Sequence, residues 1–298
     1  MKLNEYIHYD GLGLAQLIEK KEVQPIELLE LALQRSDQVN PKLNAIIIPM
    51  HEYAKNRAKQ QLTGAFAGVP FLVKDLFQEY AGIPTSYGCN ALKSRQYIPD
   101  TNAEIVNRWE KAGIVTFGRT NTPEFGIKGI TEPDAWGSCL NPWHLKHNSG
   151  GSSGGSASAV AAGIVPIAGA GDGGGSIRIP ASYCGLFGLK PSRGRTPWGP
   201  QMSEGMHGAV IQHVLTKSVR DSAAMLDATH GFENSSLFKI EKPERPFLEN
   251  LIRPPQQLKI AFNTQSPIGT KVSKDAVAAV KHTACLLYTS PSPTRLRR

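Results

Sequence analysis

The chain has 298 residues, enough for one large domain or two small ones, and its 40% hydrophobic and 19% charged residues exclude a disordered chain. The formal net charge of +8 is spread along the sequence without interleaved aromatic residues, so it does not predict a nucleic-acid partner. The four cysteines lie far apart, with no CxxC pair and no zinc-ligand spacing, which predicts reduced thiols, no metal site and a cytoplasmic location.

No membrane span is predicted. The N-terminus lacks the apolar segment of a signal peptide. The stretch from residue 148 to 171 carries no charge, but its many Gly and Ser residues and Pro166 make it too polar and too easily broken to cross a bilayer.

The N-terminal third has the periodicity of helices. Apolar residues at helical spacing predict helices around 14–18, over 25–39 and over 53–62, and Pro25 stands at a favourable first-turn position. The pattern then changes to a short apolar run, Val69–Val73, which is bounded by Gly68 and predicts a buried strand.

Helices and strands alternate through the rest of the chain, which is typical of an α/β protein. An amphipathic helix at 103–112 is closed by Gly113 and followed by a β-branched strand at 114–117. The elements predicted after it are a helix at 156–162, a strand at 164–168, a helix beginning near 175, a helix at 218–230 capped by Ser218, a strand at 258–262 and a helix at 273–284.

A glycine-rich segment, GAGDGGGS at residues 169–176, admits three chemistries. A dinucleotide loop needs an acidic residue about 20 positions later, and residues 173–203 contain none. A P-loop needs a following Gly-Lys-Ser or Gly-Lys-Thr, which is absent. The third reading is an oxyanion hole of backbone N–H groups followed by a nucleophile, Ser176. Local sequence alone favours a simpler role for Ser176, as a helix N-cap.

A serine nucleophile needs a base, and no GxSxG motif surrounds Ser176. None of the eight histidines stands out, but Lys74 directly follows the apolar run that ends at Val73. Burial would lower the pKa of Lys74 toward the working range of a base. An ion pair between Lys74 and Asp75 at the strand end is an equally good interpretation.

A family resemblance decides between these readings. The two-part Gly/Ser pattern of residues 150–158 and 171–182 is similar to the signature of the amidase signature family, and its spacing also fits. The segments that resemble further blocks of this family are 68–75, with Lys74, 118–126, 141–143 and 185–194. The resemblance covers about residues 14–284.

The resemblance implies a Ser–cis-Ser–Lys triad. Ser176 would attack the amide carbonyl, Ser152 would follow a cis peptide and relay the proton, and a neutral Lys74 would accept it. Backbone N–H groups would hold the oxyanion, and no metal or cofactor is implied; the residues of this hole are Gly173, Gly174, Gly175 and Ser176. Asp172 and Arg178 are expected to orient these groups or to form a purely structural ion pair.

The fold implied is α/β, with a mixed central β-sheet flanked by helices. Because family members are usually longer and the Ser-Pro and Arg-rich end breaks the pattern, we expect a C-terminally truncated amidase domain at 1–285, followed by an atypical tail at 286–298 that is a candidate artefact. This truncation predicts poor solubility or low activity.

The activity implied is hydrolysis of the carbon–nitrogen bond of a small-molecule amide, and the sequence is compatible with a homodimer. The alternatives are a glutaminase similar to the amide-hydrolysing component of glutamyl-tRNA(Gln) amidotransferase and a non-catalytic truncated relative.

Overall fold

Two compact units make up the chain, Met1–Phe247 and Leu248–Arg298. The structure is a computed structural model that describes residues 1–253 and 259–289. Within these residues, the first unit contains every strand and the second contains the long C-terminal helix.

The helices begin and end close to the sequence predictions in the first unit. Their bounds are α1 Leu3–Tyr6, α2 Gly11–Glu19, α3 Pro25–Leu43, α4 His51–Ala58, α5 Asn90–Ser94, α6 Glu104–Lys111, α7 Gly154–Ala161, α8 Arg178–Cys184, α9 Val219–Thr229, α10 Phe247–Asn250 and α11 Lys274–Thr289. Pro25 occupies the first turn of α3, and the Ser218 side chain accepts the Asp221 N–H to cap α9, as predicted.

The strands form one large sheet and one small ribbon. Their bounds are β1 Ile46–Pro49, β2 Pro70–Lys74, β3 Val115–Thr120, β4 Leu140–Asn141, β5 His144–Asn148, β6 Ile167–Asp172, β7 Phe187–Gly188 and β8 Ile211–Thr216. The large sheet has the order β1-β3-β2-β6-β8-β7, in which β2 is parallel to β3 and β6 and the other pairs are antiparallel. Strands β4 and β5 form the ribbon.

The core forms where helices cover this sheet. All five residues of β2 are buried, as expected for a parallel strand inside a covered sheet. Helix α3 packs on β2 and β3, α7 on β6 and α9 on β8. The ring of Trp109 on α6 lies 5.1 Å from that of Phe71 on β2. This architecture confirms the predicted fold class, a mixed central β-sheet flanked by helices.

Strand β6 differs from its prediction in a way that matters for the site. It begins at Ile167 and continues through the glycines to Asp172 because each of its residues pairs with β8, ending with Asp172 opposite Ile211. Strand β8 itself was missed, since the buried polar residues Gln212 and His213 interrupt its apolar pattern.

The second unit differs more from the sequence predictions. Residues 259–262 of the predicted strand are exposed and unpaired, since no other described strand pairs with them, and Leu258 lies outside the described residues. Helix α11 continues to Thr289, past the predicted end at residue 284. Residues 290–298 of the predicted tail are outside the described residues, and the domain boundary at 285 stays a prediction.

Among the described residues, no helix combines the length and the apolar character that crossing a bilayer requires.

Candidate active site

Lys74 ends β2 and is held inside the protein. Its backbone pairs with Thr120 of β3, and its side chain is only 2% exposed. The side-chain nitrogen, Nζ, lies 2.6 Å from Ser152 Oγ. Burial lowers the pKa of Lys74 to about 7, against the opposing charge of Asp172. At neutral pH a large fraction of Lys74 is therefore uncharged and able to accept a proton.

Ser152 lies in the turn before α7, and the peptide bond between Gly151 and Ser152 is cis. The segment around Gly126 closes over this turn: a Cβ at Gly126 would lie 3.1 Å from Ser152 Oγ, and one at Gly151 would lie 2.7 Å from the Ile130 nitrogen. Only backbone without side chains fits there. Ser152 is consequently 1% exposed and has Lys74 as its hydrogen-bond partner.

Ser176 follows the glycine-rich loop and is partly exposed. Its carbonyl accepts the Ser153 N–H at 3.2 Å, which joins the two serine-bearing segments through the backbone. Its hydroxyl makes no hydrogen bond to any residue that the structure describes. The structure therefore brings Lys74 and Ser152 into contact, and it does not link the hydroxyls of Ser152 and Ser176.

The N-cap role that local sequence favoured for Ser176 is wrong. Helix α8 has Ile177 at its N-cap position, without a capping side chain there. The Asp172 carboxylate accepts the N–H groups of Gly175 at 2.8 Å, Ile177 at 3.1 Å and Arg178 at 3.3 Å instead. Asp172 therefore satisfies the start of the helix and leaves the Ser176 hydroxyl unused.

The backbone donors of the glycine-rich loop fall into two groups. Within the described part of the chain, the N–H groups of Gly173, Gly174 and Ser176 have no acceptor. The Gly175 N–H is bound to Asp172, and the φ of +129° at Gly175 requires a glycine. Three of the four predicted oxyanion donors are therefore open to a ligand in this conformation, and that of Gly175 is occupied.

Asp172 and Arg178 form a two-point ion pair. Arg178 donates Nε and Nη2 to the two carboxylate oxygens, each at 2.9 Å. Burial alone would raise the pKa of Asp172, but Arg178 and the N–H donors hold this pKa below its usual range. The anion fixes the loop between β6 and α8 and also faces Lys74.

The alternative partner for Lys74 is occupied elsewhere. Asp75 accepts hydrogen bonds from Thr85 and Ser86, and its carboxylate lies 4.0 Å from the Arg119 guanidinium. Lys74 forms no ion pair with Asp75 among the described residues.

Two groups of residues beside Lys74 were missed: Gln78 with Gln212, and the Asp75–Arg119 pair. They lie far apart along the chain and follow no motif, so only the fold reveals them. Within residues 1–253 and 259–289, no three His, Cys, Asp or Glu side chains could hold a metal ion together.

Comparison with known proteins identifies this arrangement as that of a serine-dependent class of hydrolases. The family model described as Amidase matches residues 27–290. The chain belongs to the amidase signature family.

The relatives are longer than this chain. It is 40% identical over 281 residues to the 6-aminohexanoate-cyclic-dimer hydrolase of Paenarthrobacter ureafaciens, an alignment that covers 93% of the chain and 57% of that protein. A solved structure of 6-aminohexanoate cyclic dimer hydrolase superimposes with a TM-score of 0.92 and 38% identity over 96% of the chain and 60% of that protein. One component of the glutamyl-tRNA(Gln) amidotransferase of Thermotoga maritima gives 0.65 and 28% over 82% of the chain and 49% of that protein.

Proposed function

We propose that the protein hydrolyses a carboxamide bond through an acyl-enzyme on Ser176, with Ser152 and Lys74 as the proton relay. One observation carries this proposal: a buried lysine with a pKa of about 7 donates to a serine hydroxyl at 2.6 Å, beside a loop of open N–H donors. A lysine of this kind is a base rather than a structural cation.

The proposed reaction has two halves. Ser176 Oγ attacks the amide carbonyl, its proton passes to Ser152 Oγ, and the proton of Ser152 passes to Lys74 Nζ. The relay then returns a proton to the nitrogen of the substrate, the C–N bond breaks and the amine leaves. Water attacks the ester on Ser176 by the same route and releases the acid. The Ser176 side chain must first turn toward Ser152.

The oxyanion is proposed to be bound by the N–H groups of Gly173, Gly174 and Ser176. These groups have no acceptor among the described residues, so a developing negative charge would not have to displace a protein acceptor. Gly175 would join them only by giving up Asp172, and we assign it to holding the loop in place.

The surroundings of the two serines favour a neutral substrate with apolar groups. Phe125 precedes Gly126, which closes over Ser152, and the sulfur of Met206 lies 3.6 Å from where a Cβ of Gly173 would be. Phe125, Ile127 and Met206 are 47%, 80% and 74% exposed, respectively. Phe125 and Met206 also hold a left-handed backbone, with φ of 49° each, a conformation concentrated at functional sites.

The relatives suggest which substrates to test. The cyclic dimer of 6-aminohexanoate, which the most similar relatives are named for, is a neutral amide with apolar methylenes and is our first candidate. A glutaminase role finds less support, because similarity to the amidotransferase component is lower in both TM-score and identity.

A fluorophosphonate probe tests the nucleophile directly, since only an activated serine reacts with it. We expect the full chain and its Ser192→Ala control, an exposed serine outside the site, to be labelled, and Ser176→Ala to remain unlabelled. Hydrolysis of the cyclic dimer, an aryl anilide and glutamine is then compared. Label that survives Ser176→Ala, or a folded protein that takes no label, contradicts the proposal and favours the non-catalytic alternative.

A further inference from the structure

The large sheet opens beside Lys74. Pairing between β2 and β6 stops after Leu72 and Ala168, so the Lys74 N–H cannot continue the ladder toward β6. The Gln78 side chain takes the place of the missing strand partner, and its Oε1 accepts the Lys74 N–H at 2.7 Å. Lys74 is thus held by a strand on one side and by a side-chain amide on the other.

Glycines on β6 make room for this amide. A Cβ at Gly169 would lie 2.4 Å from Gln78 Oε1, and one at Gly171 would lie 2.9 Å from Gln212 Oε1. Since real side chains do not approach so closely, the glycines of β6 and the two glutamines fit only as a set. The alternation Gly-Ala-Gly therefore has a second role besides forming the nucleophile loop.

Gln78 is fixed at both ends. Its Nε2 donates to Gln212 Oε1 on β8 at 3.0 Å, and its carbonyl accepts Arg119 Nη1 from β3 at 3.0 Å. Gln78 and Gln212 are at most 2% exposed. A buried amide held on several strands has no freedom to move, so the Lys74 backbone bound to it is fixed as well.

The amide is also uncharged, which matters for a lysine that must stay neutral. The charged groups around Lys74 are Asp172 from β6, Asp75 next in the chain and Arg119 from β3, of which Asp172 alone raises the lysine pKa appreciably. A carboxylate at position 78 would provide the same acceptor but would stabilise the ammonium.

We propose that Gln78, braced by Gln212, is a positioning residue that fixes Lys74 against Ser152 while adding no charge beside it. This inference rests on the proposed function, in which Lys74 is the base.

Gln78→Met tests the positioning, because it keeps the length of the side chain and removes both hydrogen bonds. We expect kcat per folded molecule to fall about 10- to 100-fold with KM changed less than about threefold. Gln212→Met leaves the Lys74 contact in place, so a smaller loss, about three- to tenfold, is expected. Gln61→Met, an exposed glutamine, is the matched control and should retain full activity.

Gln78→Glu tests the charge and serves if the methionine variant does not fold. A protonated glutamic acid can accept from Lys74 and donate to Gln212, whereas an ionised one stabilises the ammonium. The maximal kcat should stay closer to wild type than in Gln78→Met, and the acid limb of its pH profile should move up by about one pH unit or more. Wild-type kcat and an unmoved limb in both variants would overturn the inference, as would a loss in Gln78→Met that matches its unfolded fraction.

A readout without substrate separates this inference from the proposed function. NMR titration of the ¹³Cε resonance of Lys74 reports its protonation in wild type and in Gln78→Glu. An upward shift of that titration in a protein that hydrolyses no amide would refute the function and keep the role of Gln78. An active enzyme whose Lys74 titrates identically in both forms would do the reverse.

Discussion

Two buried basic side chains, Lys74 and Arg119, lie on the neighbouring strands β2 and β3 and meet different surroundings. Arg119 faces the Asp75 carboxylate at 4.0 Å, so its burial is compensated by an opposite charge. Lys74 faces a serine hydroxyl and an amide, and burial brings its pKa to about 7. A cation with a buried counter-ion keeps its proton, and one that has only neutral hydrogen-bond partners can give it up.

Lys74→Arg breaks the comparison most directly, because a guanidinium cannot lose its proton in a protein. We expect kcat/KM for amides to fall at least about 10³-fold at every pH from 6 to 10. The matched control is Lys42→Arg, an exposed lysine, which should keep wild-type rates. Substantial turnover by Lys74→Arg would show that Lys74 is not the base.

Asp75→Asn removes the counter-ion that distinguishes Arg119 from Lys74. Burial raises the pKa of Asp75, but Arg119 and the Ser86 donors oppose this and favour the carboxylate. An uncompensated buried guanidinium should cost about 3–5 kcal/mol of unfolding free energy, measured by urea denaturation. The exposed Asp134→Asn is the control, and a change below about 1 kcal/mol in Asp75→Asn would mean that the pair is not an effective ion pair.

The pH dependence of the wild-type enzyme gives the third prediction. Lys74 is active as the neutral amine, so kcat/KM should rise with pH and level off above its pKa of about 7. Below that point the rate should fall about tenfold per pH unit, because protonation removes the base. A profile flat between pH 5 and 8, measured with a neutral substrate, contradicts this assignment.

Much of the contrast between Lys74 and Arg119 could not be predicted from sequence. The run Val69–Val73 predicts a buried strand that carries Lys74 into the interior, because strand burial depends on local apolar pattern. Whether Asp75 pairs with Lys74 or with Arg119 depends on the β2–β3 register, which aligns Val73 with Arg119. Register is a property of two distant segments, so the equal choice between base and ion pair was open until the fold was known.

The glycine-rich loop shows the same limit. Its composition predicts converging N–H donors, but it does not predict that β6 runs through the glycines to Asp172 by pairing with β8. It also gives no sign that Asp172 takes the Gly175 N–H. Both features come from tertiary contacts that override the local preference of glycine for loops.

Asp172→Asn sharpens the comparison by weakening the charge that Lys74 does sense. Since Asp172 raises the Lys74 pKa against burial, its removal should move the acid limb to lower pH by about one unit or less. The plateau rate should also fall about tenfold as the loop loses its two-point pair with Arg178. A shift of the limb to higher pH would contradict the assigned sign.

Arg178→Gln is expected to have the smallest effect. The Arg178 side chain is 54% exposed, so solvent screens its pair with Asp172 and its loss should cost less than about 1 kcal/mol of unfolding free energy. Asp172 keeps the N–H donors of Gly175 and Ile177, which still favour the carboxylate, so the acid limb should stay in place. We expect kcat to fall less than about threefold, measured beside the exposed control Arg95→Gln. A larger loss with an unchanged limb would mean that Arg178 contacts the substrate rather than only orienting Asp172.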